Sequence, residues 1–361
     1  MNQVFIYHGP VDAFEKELPD EFYTLTSLVH DYEEARKANR NITNNYYDHL
    51  VAYSDAYSGI TQSAVQSFSS LLSLFEIENL YLQNPPKAVY QQIKDYNTDN
   101  VHEKNFRYKT IGLKTLKAFH DGFDNNVIGQ DKVMKRLLMH LYPLVGTKRK
   151  KPLVLMFYGP SGVGKTETAK YIAKLLGQKL FRKQLSMFHN EEFLNYLFGS
   201  KHSHNSFAKE LLERQSNVIL LDEFDKTPSV FHSAFYQLFD EGIFEDQNYA
   251  VHLNKGIIIC TSNFPNLDEI QKALGDPIFF RFDGFVEFGT LSQESMIRII
   301  DKELARQYKD ISSKDRDAIS IEMIREQLVQ RISSFDNARG ISHAISDMLS
   351  YYAVRHALDI E

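Results

Sequence analysis

At 361 residues and 43% hydrophobic content, the chain has the composition of an ordinary globular protein with room for two or three domains. Its net charge of −6 lies wholly in the first 110 residues, which hold 9 Lys+Arg against 15 Asp+Glu, whereas residues 111–361 hold 32 of each. An acidic N-terminal part argues against a nucleic-acid-binding module there, and the single cysteine, Cys260, excludes an intrachain disulfide or a multi-cysteine metal site. With no basic start leading into an apolar core and no apolar run of about 18 residues, the expectation is a cytoplasmic protein without a membrane partner.

In chain order, Val4–Tyr7 is a short β-type run, and Ala64, Val65, Phe68, Leu71, Leu72 and Phe75 fall at helical spacing. Leu80–Leu82 reads as a short strand. Pro85-Pro86 then opens a helix with Val89, Ile93 and Tyr96 on one face. The many tyrosines and phenylalanines of this part read as core. Phe-Ile-Tyr-His-Gly-Pro at 5–10 faintly echoes Met-Phe-Tyr-Gly-Pro at 156–160, but no Gly-Lys-Thr follows it, which counts against a degenerate second nucleotide site. The polar stretch Tyr96–Lys109 reads as a linker.

From Ile111 onward strand-like and helix-like runs alternate: Leu153–Tyr158, Val218–Leu221 and Gly256–Cys260 are the strands. Such alternation predicts a parallel sheet sandwiched by helices, with ligands at the carboxyl ends of the strands. After Gly289 only helical spacing remains, in Met296–Leu304, Ile321–Ile332 and Ile341–Val354, which predicts a small all-helical C-terminal domain.

Between the first of these strands and a helix-forming run stands a complete GxxxxGK[ST] phosphate loop: Gly159, Pro160, Ser161, Gly162, Val163, Gly164, Lys165 and Thr166. Its backbone N–H groups turn toward the phosphates, Lys165 reaches the β- and γ-phosphates, and the Thr166 hydroxyl ligates Mg²⁺, so ATP or GTP with Mg²⁺ is the expected ligand. Glu167 follows and completes the stretch expected to line nucleotide. The run Val218–Leu221 ends in Asp222-Glu223, a buried strand delivering two acids: Asp222 to hold the metal and Glu223 to polarise the attacking water. The third strand ends in Thr261-Ser262-Asn263, where an amide is placed to bond the γ-phosphate and the lytic water without adding charge.

These strings resemble the AAA+ ATPases, and within them the Clp-type protein unfoldases, especially the second ATPase module of their two-ring members. The resemblance runs from about Asp124 to Tyr352. It is carried by Val-Ile-Gly-Gln-Asp at 127–131, GPSGVGKTETA at 159–169, VILLDEFDK at 218–226, Phe-Asp-Glu-Gly at 239–242, Ile-Ile-Ile-Cys-Thr-Ser-Asn at 257–263 and Phe-Phe-Arg-Phe-Asp at 279–283. It implies a three-layer α/β ATPase domain at 106–289 and a small helical domain at 290–361; ahead of them, the polar linker sets off an acidic stretch, 1–105, expected to be a separate α/β or α-rich partner-binding domain. It further implies that Val127 and Ile128 contact adenine, that Asn263 is sensor 1, and that Arg339 in Asn337-Ala338-Arg339-Gly340 is sensor 2, with Asn337 where the family has glycine. Arg281 takes the place of an arginine finger completing a neighbour's site in a hexameric ring, its alternative being a surface charge at a helix end.

The chain departs from the threading unfoldases in both pore loops. Leu197-Phe198-Gly199 continues as Ser200-Lys201-His202-Ser203-His204-Asn205-Ser206-Phe207 with no Gly-Tyr-Val-Gly, and Asp240-Glu241-Gly242 continues without the family's arginines. His202 and His204 lack a nearby third ligand for a metal site. Ile111-Gly112-Leu113 precedes the ATPase core, where the family places no peptidase-docking signal, so no peptidase partner is expected. Lys148–Lys151 reads as a solvated loop rather than a nucleic-acid patch. The expected function is ATP-driven remodelling of a protein client, the alternatives being an ATP-gated oligomeric switch or scaffold and a DNA or helicase loader.

Overall fold

The computed structural model describes residues 2–39, 45–96, 100–146, 149–187, 190–201, 203–312, 316 and 319–358. Lys148 and His202 lie outside the described residues. The chain forms two compact units, each assembled from separated stretches: residues 1–109, 187–217 and 230–256 in the first, residues 110–186, 218–229 and 257–361 in the second. The first therefore takes in two stretches that lie within the range 106–289.

In the first unit, five strands form a parallel sheet: β1 (Gln3–His8), β2 (Tyr23–Thr24), β3 (Tyr46–Ala52), β4 (Glu76–Gln83) and β5 (Val101–Asn105), in the order β2-β3-β4-β1-β5. The strands at 4–7 and 80–82 are where hydrophobic runs predicted them. Val4, Ile6, Leu50, Leu80 and Leu82 are buried and join Leu25, Leu28, Phe68, Val89 and Ile93 from flanking helices in one core. Thr24 caps helix Leu25–Lys37 by accepting the Ser27 N–H, and Thr61 caps Gln62–Gln66 in the same way. The helical spacing over 64–75 resolves into two short helices, Gln62–Gln66 and Phe68–Leu72, rather than one.

The stretch read as a linker contains β5, which pairs with β1 along Val4↔Val101 to His8↔Asn105. Its sequence, Val-His-Glu-Lys-Asn, carries no alternating apolar signal because β5 is an edge strand whose last four residues are exposed.

Helices Asn190–Phe198, Phe207–Leu212 and Tyr236–Asp240, with the antiparallel pair β9 (Ile243–Glu245) and β10 (Ala250–His252), complete this unit.

The second unit holds another parallel sheet, β6 (Leu153–Tyr158), β7 (Phe181–Gln184), β8 (Val218–Asp222), β11 (Ile257–Thr261) and β12 (Gly284–Glu287), ordered β12-β6-β11-β8-β7. Every residue of β6, β8 and β11 is buried. Leu155, Phe157, Leu220 and Ile259 share a core with helices Leu113–Asn126, Asp131–Leu141 and Lys165–Leu175, while Met156, Leu221 and Cys260, of opposite parity, are equally buried. Both faces of the sheet are thus covered, the three-layer arrangement of parallel α/β proteins. Helices Gln293–Asp310, Ile321–Gln330 and Ala338–Ala357 form the helical C-terminal part, capped at Ser292, Ser320 and Asn337.

One detail departs from the sequence reading. Arg149, within the basic run, is no solvated loop charge: its guanidinium bonds Asp283 at 2.5 Å and its side chain is 18% exposed. Gly112 is the N-cap of helix Leu113–Asn126, with Ile111 buried in the core beneath it. No helix among the described residues is long and apolar enough to cross a membrane.

Ile259 is fully buried on the central strand β11. Ile259→Ala should cost about 2–5 kcal/mol, read as a lower urea midpoint with an unchanged slope; an unmoved midpoint would contradict its place in the core.

Candidate nucleotide site

Three adjacent strands set the site. β11 pairs with β6 through Thr261↔Phe157 and with β8 through Cys260↔Leu221, so the phosphate loop, the acids and the Thr261–Asn263 segment all emerge at one edge of the sheet. There a cleft of about 850 Å³ is lined by Val127, Ile128, Ser161–Glu167, Arg182, Asp222, Glu223, Thr261, Asn263, Arg306 and Arg339, among others.

The loop leaves β6 at Gly159, whose φ of +118° and contact with the chain after β12 both require glycine: a Cβ would sit 2.2 Å from the Phe288 carbonyl oxygen. Gly162 is equally constrained, since a Cβ there would meet the Asn337 side chain at 2.9 Å. The loop runs into helix Lys165–Leu175, whose first residues, Lys165, Thr166 and Glu167, line the cleft, and a helix N-terminus with its unpaired N–H groups suits an anion. Lys165 donates to the carbonyls of Gly159 and Pro160 at 2.5 and 2.8 Å and to Asn263 Oδ1 at 3.0 Å. Burial lowers its pKa to about 8, against the opposing pull of Asp222 and Asp225.

The acids are tied together by a residue not singled out in the sequence. Thr261 Oγ1 donates to Asp222 Oδ1 at 2.5 Å and accepts the Glu223 N–H at 2.8 Å. Glu223 sits at φ +55°, a left-handed conformation that costs a non-glycine residue energy and that is here pinned by this bond. Its Oε2 accepts from Ser186 Oγ and, at 3.2 Å, from Gln184 Nε2. Asp222 also accepts Arg182 Nε at 3.0 Å, so this carboxylate already holds a cation. With the Thr166 hydroxyl, Asp222 offers the hard oxygen donors that Mg²⁺ takes, and the donor set fits that ion. Behind these acids, burial pushes the Asp225 carboxyl up while Ser262 Oγ bonds it at 3.1 Å.

Val127 ends helix Leu113–Asn126 and is buried, and with Ile128 it lines the cleft. Gln130, next in the same string, locks the region by donating to the Val163 and Gly289 carbonyls at 3.1 and 2.9 Å. On the helical side, Asn337 accepts the Gly340 N–H at 3.0 Å, and the Ala338 N–H reaches the Gly162 carbonyl at 3.1 Å. The residue that departs from the family pattern is therefore the cap of the helix that touches the phosphate loop. Arg339, two residues into that helix, lines the cleft. Arg306, paired with Glu303 at 2.6 Å, is a third cleft arginine beside Arg182 and Arg339, and no motif flags it. Glu167 lines the cleft too, paired with Lys170 at 2.7 Å. Arg281 is not among the lining residues: it follows helix Asp276–Phe279 and donates to the Pro277 carbonyl.

A family model, AAA domain (Cdc48 subfamily), matches residues 150–335. The chain belongs to this AAA family. Among curated relatives, the ATP-dependent Clp protease ATP-binding subunit ClpE of Lactococcus lactis subsp. lactis (strain IL1403) is 29% identical over 275 residues, 65% of this chain and 37% of that protein. ClpE of Streptococcus pneumoniae serotype 4 is 30% identical over 287 residues, 66% of this chain and 38% of its own. The chain thus spans well under half the length of these relatives. A closed-state structure of Hsp104 with ATPγS and FITC-casein shares the fold at a TM-score of 0.59 and 14% identity, covering 99% of this chain and 88% of that one. The chain is a Clp-type member of the AAA+ ATPases, a class that hydrolyses ATP.

Because Lys165 has a pKa of about 8 in the free protein, a triphosphate that binds its charged form must take up a proton above that pH. ATP affinity should therefore fall about fivefold from pH 8 to 9, with proton uptake seen by calorimetry in buffers of different ionisation heat. Flat affinity from pH 7 to 9.5 would contradict this. Asn337→Ala should remove the cap, costing about 1 kcal/mol, and weaken ATP binding; unchanged affinity and Tm would rule out the capping contact as a support of the loop.

Proposed function

We propose that the chain is an ATP hydrolase that couples turnover to remodelling a protein partner. The observation that carries this reading is the Asp222–Thr261–Glu223 unit beside a complete phosphate loop. In the free protein Lys165 folds onto its own loop carbonyls and Asn263. A triphosphate draws it off those carbonyls and restores its full charge at the β- and γ-phosphates. Loop N–H groups fix the phosphates, and Val127 with Ile128 present an apolar wall to the base. Thr166 and Asp222 would hold Mg²⁺, which when bound would supply charge to neutralise the phosphates.

The Glu223 carboxylate, fixed by its left-handed backbone and by Ser186 and Gln184, accepts the proton of the attacking water. Asn263 orients that water and the γ-phosphate without adding charge. Arg339 reaches the γ-phosphate from the helical part. Arg281, outside the cleft lining, serves a neighbouring subunit in a hexameric ring, and the protein partner is taken by the acidic N-terminal part.

A switch without threading is favoured by one observation. Phe207, the first aromatic after Gly199, is fully buried against Phe235 and Phe244 and forms core, not a grip. Stimulation of ATPase by an unfolded protein such as casein supports remodelling, and a rate indifferent to it supports the switch.

Glu223→Gln should keep ATP bound while turnover falls about 10²–10⁴-fold. Arg281→Ala should lose about 10³-fold or more. Mixing the two variants should recover activity, since an intact finger then faces an intact base; a mixture as inactive as its parts would show that Arg281 does not act across subunits.

A further inference from the structure

The two parallel sheets have the same plan. Counting strands from the first of each, both run 2-3-4-1-5 across the sheet. The correspondence extends to single bonds at the strand ends. Phe106, the residue after β5, donates its N–H to the His8 carbonyl at 2.8 Å; Phe288, the residue after β12, does so to Tyr158 at 2.9 Å. Asn84 after β4 donates to the Tyr7 carbonyl at 2.8 Å, and Ser262 after β11 to Phe157 at 2.9 Å. Gly9 and Gly159 follow these strands with positive φ, and a Cβ would lie 2.4 Å from Phe106 in one and 2.2 Å from Phe288 in the other.

The registers β1↔β4 and β3↔β4 then set Tyr53 and Ser54 where β8 carries Asp222 and Glu223. Even the bond that pins Glu223 has its twin, because the Ser54 N–H reaches Gln83 Oε1 at 3.0 Å as the Glu223 N–H reaches Thr261.

What differs is the chemistry at the strand ends. Gly9-Pro10 leads directly into Val11 with no lysine, and both acids are gone. The carbonyl of Gly9 is met by the amides of Gln83 and Asn84, each at 2.9 Å, where the carbonyl of Gly159 is met by Lys165. Into this cradle points a carboxylate of the same unit. Glu213 Oε1 accepts Ser54 Oγ at 2.8 Å, Gln83 Nε2 at 2.8 Å and Asn84 Nδ2 at 2.7 Å, and Oε2 accepts the Val11 N–H at 3.2 Å and Gln83 Nε2 at 3.0 Å. These donors come from the loop after β1 and the ends of β3 and β4, the three points from which the ATPase sheet addresses nucleotide. Gln83, Asn84 and Ser54 are 1%, 0% and 4% exposed, so if the carboxylate left, the two amides would keep only the Gly9 carbonyl as acceptor and the Ser54 hydroxyl would lose its bond.

We propose that residues 3–106 are a second copy of the ATPase sheet whose anion position is filled by the carboxylate of Glu213, which makes it a docking module rather than a nucleotide site. The cradle takes one carboxylate, recognised by four neutral donors, and charge assistance makes these bonds stronger than neutral ones. The segment that brings it is held alongside by three further pairs. Arg214 lies 4.0 Å over the Tyr108 ring, Lys209 bonds Asp55 at 2.8 Å, and Gln215 bonds Asp12 at 2.6 Å. The anion position is identified by its match to the phosphate loop, so the inference rests on that nucleotide-binding reading, but the test below touches no residue of the nucleotide cleft.

The test uses the full chain with Glu213→Ala and small anions as probes. The variant should melt about 5–10 °C below the parent, and acetate should restore Tm saturably in the variant while leaving the parent unmoved. Equal recovery by chloride at matched ionic strength, or a variant as stable as the parent, would overturn the proposal. Should Glu213→Ala fail to fold, Glu213→Gln keeps the shape but replaces an acceptor with a donor. Hydrogen exchange at the Val11 amide should then quicken at least tenfold with β4 unchanged, and unaltered Val11 protection would equally overturn it.

Discussion

The pairing of β6, β11 and β8 is the constraint on which the nucleotide cleft depends. Thr261↔Phe157 and Cys260↔Leu221 are rungs of the two parallel ladders that flank β11, so a slip of one residue in either would turn Thr261 or Asp222 to the opposite face. In register, the end of β6 releases the phosphate loop, the end of β8 releases two acids, and Thr261 between them bonds both. Val154–Phe157, Val218–Leu221 and Ile257–Cys260 are covered on both faces, so these three strands form the interior of the sheet and only their polar ends reach the cleft.

Much of this was legible in the sequence because the cleft is built from contiguous strings. A phosphate loop between a strand and a helix, and two acids ending an apolar run, carry their chemistry in residues adjacent along the chain. The residues that sequence reasoning missed act through tertiary contact. Thr261 has no signature beyond its place at a strand end, Arg182 matters because β7 lies beside β8, and Gln130 works by reaching two carbonyls remote in sequence. Asn337 was visible as a departure from a family pattern, yet its service as a helix cap follows only from the fold. β5 was hidden for the opposite reason: an exposed edge strand has no apolar alternation to betray it.

The N-terminal part shows how far sequence and fold diverge when a site loses its chemistry. Its echo of Met-Phe-Tyr-Gly-Pro is faint, but strand order, register and three strand-end bonds agree between the sheets. What keeps the loop after β1 in shape is a set of amides around a carboxylate, in place of a lysine around phosphate. Electrostatics explains the exchange: with no lysine in the loop after Gly9-Pro10, a resident carboxylate matched to neutral donors satisfies the buried polar groups without needing a ligand. The acidic balance of the first 110 residues fits a part that takes no polyanion.

The central claim is one working nucleotide position and one anion position filled from within, and the count of bound nucleotide tests it most directly. Equilibrium dialysis of ATPγS with Mg²⁺ should give one nucleotide per chain in the parent protein and none in Lys165→Ala. Two per chain, or tight binding that survives Lys165→Ala, would contradict the account.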